Sequence, residues 1–374
     1  MTPGRPSGLG PAGPGQLRGL ARAALLACPR PVVRRSLPAG RAGGRVSTLD
    51  DVRLGPDVAC VCAIGAFDGV HVGHRALLAE ARRRADELGA LVVAVTFDPD
   101  PAHVLTQGYE GRDLLRVADR ERGLLLAGAD AVLTLGFDRE LASLDAASFV
   151  RDVLRRAVSP RAVVVGEDFR MGAGGACDVD ALARLGREDG FDVAGVALSS
   201  VDGGAVSATR VRRLLLGGDV AAASRLLARP HVVWGTVAHG RGQGTGFGFP
   251  TANVDVDPAC CLPAEGVYSC VAISRDGDGD ADGACARAWP AAVNVGRPRS
   301  FADAGGPGPF LEATLLGFDG DLYGRGLGIA FVGWLRAPRA FDDLGELRRV
   351  VLSNVGSVRD ALGGAGTDLG GVFL

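Results

Sequence analysis

The sequence contains no lysine, and all 41 of its Lys+Arg positions are arginine. Any phosphate contact must therefore come from arginine, histidine or backbone N–H groups. No apolar stretch approaches the ~18–20 uncharged residues of a spanning helix, so a soluble, non-membrane protein is expected. No sign of charge dominates. The net charge is −2, which excludes a global field that draws the chain to nucleic acid or membrane. Paired C-x-x-C motifs are also missing. The eight cysteines are scattered, which excludes a disulfide framework and points to a reducing compartment, the cytoplasm. Cys60 and Cys62 alternate in a strand-like run and read as small buried hydrophobes.

What is present suits two globular domains: 374 residues, 47% hydrophobic and 22% charged. Glycine is abundant at 57 residues, so special backbone conformations matter at several points. No acidic residue precedes Asp50, and Pro3, Pro6, Pro11 and Pro14 oppose a clean amphipathic helix. Residues 1–50 are expected to be a disordered or extended tail, with a transit peptide or a misassigned start left open.

From Val58 to about Val201, apolar runs alternate with helical stretches. Strands are expected at Ala59–Phe67, Leu91–Phe97, 131–135, Ala162–Val165 and 192–198. Helices are expected at 74–88, 113–127, 145–157 and 178–188. This alternation predicts an α/β domain, a Rossmann-like parallel sheet flanked by helices over 55–228. After about Ala228, short runs at His231–Ala238, Val267–Ile273, Ala291–Val295, Leu311–Phe318 and Leu327–Phe331 are separated by Gly, Pro and Asp turns. They predict an antiparallel β-barrel over 229–364, closed by a helix at about 343–362 and followed by a tail at 365–374.

The sharpest signal is Gly65-Ala-Phe67-Asp68-Gly-Val-His71-Val-Gly73-His74, where the first strand meets the first helix. Free N–H groups and the dipole of a helix start attract phosphate. The glycines permit a close backbone approach, and two histidines three apart can both reach phosphoryl oxygens. Ser207, Thr209 and Arg210 in Val206-Ser-Ala-Thr-Arg-Val-Arg212 form a second candidate helix start for phosphate. Taken alone, an ordinary capped helix fits as well. In the second half, glycines 240, 242, 244, 246 and 248 suit a loop wrapped around phosphates. Pro250-Thr251-Ala-Asn253 then sets a hydroxyl and an amide oxygen on one side of an extended segment, hard donors suited to Mg²⁺.

These motifs, taken together, resemble the bifunctional bacterial riboflavin kinase/FAD synthetase family over roughly 55–364. His71-Val-Gly-His74 matches the family's H-x-G-H, which marks a nucleotidyltransferase, and Phe249-Pro-Thr-Ala-Asn253 its kinase signature. The resemblance implies that Gly65, Phe67, Asp68, Gly73, Ser207, Thr209, Gly240, Gly242, Gly244 and Gly246 bind ATP or its phosphates. His71, His74 and Arg210 would act in nucleotidyl transfer, Glu312 would be the kinase base, and Thr251 and Asn253 would hold the metal. Phe97 and Pro99 in Thr96-Phe-Asp-Pro99, Asp168 in Val165-Gly-Glu-Asp-Phe-Arg170, and Asn294 would line the flavin. Mg²⁺ is the implied cofactor and ATP the co-substrate. The products FMN and FAD would pass to downstream flavoenzymes, with homo-oligomerisation left open.

The chain departs from the family at Asp100, Ala208 and Asn354, and it lacks basic residues just after Arg170. The expected function is phosphorylation of riboflavin to FMN, then adenylylation to FAD. The alternatives are a kinase with a decayed first domain and a non-catalytic flavin-binding regulator. Asp276, Asp278, Asp280 and Asp282 imitate a calcium loop, but the twelfth position from Asp278 is Trp289, where a glutamate is required. His103 and His231 read as ordinary polar residues.

Overall fold

The computed structural model describes residues 14–26, 32–37, 43–49, 52, 54–107, 111–238, 251–275, 286–296, 310–339, 341 and 343–369. By contacts the chain divides into two compact units, one of Arg30–Gly111 with Leu115–Ala208, the other of Met1–Pro29, Arg112–Leu114 and Thr209–Leu374. By contacts the helix Val220–Leu227 and all but the first residue of the helix Ala208–Leu216 fall in the second of these units.

The first unit is built on seven strands: β1 (Val33–Leu37), β2 (Gly44–Thr48), β3 (Ala59–Ile64), β4 (Leu91–Asp98), β5 (Ala131–Gly136), β6 (Ser159–Gly166) and β7 (Asp192–Val196), in the order β1-β2-β5-β4-β3-β6-β7. From β5 to β7 all neighbours are parallel, and β2 and β1 add an antiparallel edge. The parallel strands read as unbroken apolar runs (ACVCAI, LVVAVTFD) because helices cover both faces. Helix Val72–Leu88 buries Leu77, Leu78, Ala81 and Ala85 and stops at Gly89, whose φ of 59° suits glycine at a helix end. From β3 the chain passes first to β4 and later, on the other side, to β6. Such a reversal opens a crevice beyond the carboxyl ends of the strands. A two-residue hairpin follows the sheet, β8 (Ser200–Val201) and β9 (Gly204–Ala205), turning through Asp202 and Gly203 at positive φ.

In the second unit β10 (His231–Ala238), β11 (Ala252–Val256), β12 (Gly266–Arg275), β13 (Ala286–Gly296), β14 (Phe310–Leu315) and β15 (Gly326–Arg336) run in the order β12-β15-β10-β11-β14-β13, and β12 also pairs β13. That last pairing closes an antiparallel barrel and removes its edges. A Cβ at Gly235 would lie 2.2 Å from the Asp255 carbonyl oxygen, so β10 and β11 meet this closely only because residue 235 is glycine. Helix Leu344–Leu362 packs on the barrel through Val355, Val358 and Leu362.

The expected N-terminal tail is partly structured. Residues Pro14–Leu25 form a helix whose Leu17, Ala21, Ala24 and Leu25 join the cluster of Val271, Ile273, Ala288 and Val358 on the barrel. Pro14 does not oppose it, because the first helical turn needs no N–H from that residue. Arg18 and Arg22 donate to the Leu369 carbonyl at 3.2 and 2.8 Å. The C-terminal tail also begins with structure: β16 (Thr367–Asp368) pairs with Arg287 and Ala288 of β13.

Candidate functional site

In the first unit β3 delivers the chain into the Gly65–His74 turn, and β6, its neighbour, ends at Gly166 just before Asp168. The turn is held in unusual backbone geometry: Phe67 and Val70, both buried, take φ of 57° and 43°, and Gly69 takes 84°. Non-glycine residues hold such angles only where their surroundings over-determine them, and such positions concentrate at ligand sites. Asp68 is buried and accepts from the Leu115 N–H at 3.2 Å. His71 caps helix Val72–Leu88, its Nδ1 accepting from the His74 N–H at 3.3 Å. The two imidazoles stack at 3.5 Å between centroids, and Phe67 meets His74 edge-on at 5.1 Å. A Cβ on Gly73 would sit 3.2 Å from the His71 ring, so glycine leaves the space that the ring fills.

Burial pushes His71 down to about 4, partly opposed by its backbone hydrogen bond. His74 is held well below the ordinary histidine value by burial first, then by His71 and Arg120. Its Nδ1 is buried without a hydrogen-bond partner. Both rings are therefore neutral at pH 7, set at a helix N-terminus whose free N–H groups attract an anion.

The other expected residues of this unit divide. Phe97 is packed into the core edge-on to Phe137, while Pro99 is exposed. Asp168 is exposed in a tight turn closed by the Phe169 N–H to the Gly166 carbonyl at 3.0 Å. Ser207 is exposed just before helix Ala208–Leu216; Thr209, exposed, and Arg210, half-buried, lie in the first turn of that helix and fall in the second unit by contacts.

Sequence reasoning placed a helix at 113–127, observed as Val117–Leu126, but missed what its charged run does. Asp119, Arg120, Glu121 and Arg122 are all buried there, although a run of four charges ordinarily faces water. Asp119 pairs with Arg116 and Arg122. Glu121 accepts from Arg45 at 2.6 Å, Thr134 at 2.9 Å and Arg34 at 3.1 Å. Burial alone would raise the Glu121 carboxyl, but Arg45, Thr134 and Arg34 hold it below the usual carboxylate range. The unusual run itself, a string of alternating charges just ahead of Leu124–Leu126, was the available signal.

In the second unit the ladder gathers the expected residues. Glu312 of β14 lies opposite Asn253 of β11 on one side and opposite Asn294 of β13 on the other. Residues opposite one another share a face of the sheet. Thr251, two before Asn253, donates its hydroxyl to Glu312 Oε1 at 2.8 Å. A hydroxyl, two amides and a carboxylate thus meet on adjoining strands, all half-buried. These are hard oxygen donors of the type Mg²⁺ takes beside nucleotide phosphates. Among the described residues no cluster of three His, Cys, Asp or Glu could hold a metal without such help. Gly240, Gly242, Gly244 and Gly246 lie outside the described residues, as do Asp276–Asp282.

Two family models match the chain, FAD synthetase over residues 56–210 and riboflavin kinase over 227–362. The bifunctional riboflavin kinase/FMN adenylyltransferase of Pseudomonas fluorescens is 38% identical over 303 residues, 80% of this chain and 92% of that protein. The chain belongs to the bifunctional riboflavin kinase/FMN adenylyltransferase family. The member from Escherichia coli K12 is 33% identical over 84% of this chain and 96% of its own length, and that of Bacillus subtilis 30% identical over 77% and 87%. The solved structure of a macrolide-efflux protein from Streptococcus pneumoniae superposes with a TM-score of 0.72 at 27% identity, covering 82% of this chain and 95% of that one. No helix among the described residues is long and apolar enough to cross a membrane. With both domains present and bifunctional relatives, the comparisons favour two activities over a single-activity kinase or a non-catalytic flavin binder.

Proposed function

We propose that the barrel unit phosphorylates riboflavin and the parallel-sheet unit converts the resulting FMN to FAD, each with its own ATP. The observation that carries the reading is the Asn253–Glu312–Asn294 register with Thr251 bonded to Glu312. In the kinase step Glu312 accepts the proton of the terminal ribityl hydroxyl as its oxygen takes the γ-phosphoryl group and ADP leaves. Thr251 fixes the carboxylate, and Asn294 orients the flavin's polar edge. Thr251 and Asn253 would hold Mg²⁺, which supplies charge neutralisation for the phosphates when bound. The glycine loop at 240–248 would wrap the phosphate tail.

In the second step an FMN phosphate oxygen bonds to the α-phosphorus of ATP, the bond to the β-phosphate breaks and pyrophosphate departs. His71 and His74 stabilise the charge that develops there, so positioning and electrostatics do the catalysis. Ser207, Thr209 and Arg210 are assigned to phosphate from their sequence motif. Gly65, Phe67, Asp68 and Gly73 shape the phosphate turn. Pro99 and Asp168 belong to the flavin side, whereas Phe97 is committed to the core through its ring and to Arg120 through its carbonyl. The free cysteines, Cys60, Cys62, Cys177, Cys260, Cys261 and Cys270, fit the reducing cytoplasm, where flavoenzymes would receive the products. The test is a product assay with riboflavin, ATP and Mg²⁺ that resolves FMN from FAD. Both should appear, FMN first, and absence of either removes the corresponding half of the reading.

A further inference from the structure

Of the four buried charges on helix Val117–Leu126, three are neutralised by neighbours, Asp119 with Arg122 and Glu121 with Arg45 and Arg34. Arg120 differs. Its Nη1 donates to the Ala66 carbonyl at 3.0 Å and its Nη2 to the Phe97 carbonyl at 2.5 Å, both uncharged acceptors, while its Nε has no hydrogen-bond partner. Among the described residues no carboxylate pairs with it. A buried cation without a counter-charge is costly, so a protein retains one where an anion arrives in use.

The two carbonyls place that charge. Ala66 lies within the Gly65–His74 turn, next to Phe67, whose ring stands edge-on to His74. Phe97 is the next-to-last residue of β4, and Thr96 Oγ1 also donates to the Ala66 carbonyl, at 2.9 Å. Arg120 thus ties together the carboxyl ends of β3 and β4 directly behind the histidine turn.

We propose that Arg120 is a positioning residue of the adenylyl-transfer site, locking the Gly65–His74 turn from behind and holding a fixed positive charge that is compensated when nucleotide phosphates bind. The proposal rests on the reading that this turn receives the phosphates. The groups that act on His74 are consistent with it. They are His71, stacked beside it, and Arg120 from the facing helix, with burial as the larger influence. Among the described residues no carboxylate offsets them, and the buried Nδ1 of His74 has no hydrogen-bond partner among them.

The test uses the full chain with Arg120→Gln, Arg120→Lys and His74→Gln. FAD formation from FMN and MgATP is resolved into kcat and the KM for ATP. FMN formation from riboflavin in the same preparations serves as reference, and near-UV circular dichroism and melting report the fold. Imidazole resonances, assigned with His74→Gln, report the titration of His74. Arg120→Gln should lower kcat/KM for ATP by about 10- to 100-fold, chiefly through KM, and move the His74 titration upward. Arg120→Lys should restore most of both. A folded Arg120→Gln protein with wild-type kcat/KM and an unmoved His74 titration overturns the proposal. If Arg120→Gln does not fold, Arg120→Lys decides: a wild-type melt with a KM for ATP raised more than about tenfold overturns it equally. Full FAD formation by His74→Gln would instead remove the underlying reading of the turn, whatever the Arg120 variants do.

Discussion

Replacing Glu312 by glutamine separates proton acceptance from the other things that side chain does. Glutamine keeps the length of the side chain and an Oε1 that can still accept the Thr251 hydroxyl, now 2.8 Å from Glu312 Oε1. The register with Asn253 and Asn294 is a backbone property and survives. What is lost is the capacity to take the ribityl proton, a contribution of about 10²- to 10⁴-fold, or roughly 3–5 kcal/mol of barrier. Exchanging a charge-assisted for a neutral hydrogen bond on a half-buried strand costs only about 1 kcal/mol of stability, so the two effects differ in scale. The assay follows FMN from riboflavin and MgATP by chromatography, with FAD formation from supplied FMN as the reference on the same molecules. The KM for riboflavin should change little and kcat should fall by at least about 100-fold. A kcat within about threefold of wild type would refute the assignment of Glu312 as base.

Other expectations concern stability. Leu17→Ala, at a position 1% exposed against the barrel, should destabilise the second unit by about 2–5 kcal/mol, read by thermal or urea unfolding; a silent substitution would mean that the helix is not docked in solution. Gly235→Ala should unfold the barrel at lower temperature, because its methyl would meet the Asp255 carbonyl. Acid should weaken both units. His71 and His231 are each pushed down to about 4 by burial, so the unfolded chain takes up protons first and stability falls as pH drops from about 6.5 toward 4. Denaturant titrations across that range should show the decline, and His231→Gln should flatten it for the barrel.

Much of this molecule is visible in its sequence. The unbroken run Leu91–Phe97 and the switch to antiparallel strands after Pro230 each follow from which faces are covered, and covering is written in the order of apolar residues. The site motifs are equally legible, because glycines, a helix start and hydroxyl-amide pairs are local chemistry. Three things were not. Helix Pro14–Leu25 has its apolar residues at 17, 21, 24 and 25, but proline and glycine around it obscure the pattern, and its partner surface lies more than 200 residues away. Arg120 and Glu121 look like solvent-facing charges until the sheet edge supplies Arg34 and Arg45 and the strand ends supply carbonyls. The Glu312 register depends on which strands close the barrel, a property of the whole β set and of no single motif.

The docking of Leu17, Ala21 and Leu25 against β12, β13 and the last helix has a consequence for biosynthesis. Helix Pro14–Leu25 packs on strands that are translated more than 200 residues after it. The parallel sheet can assemble while translation continues, but this helix must wait, its leucines uncovered, until β12 and β13 emerge. Nascent chains stalled before Gly266 would therefore carry a sticky segment that the folded barrel conceals.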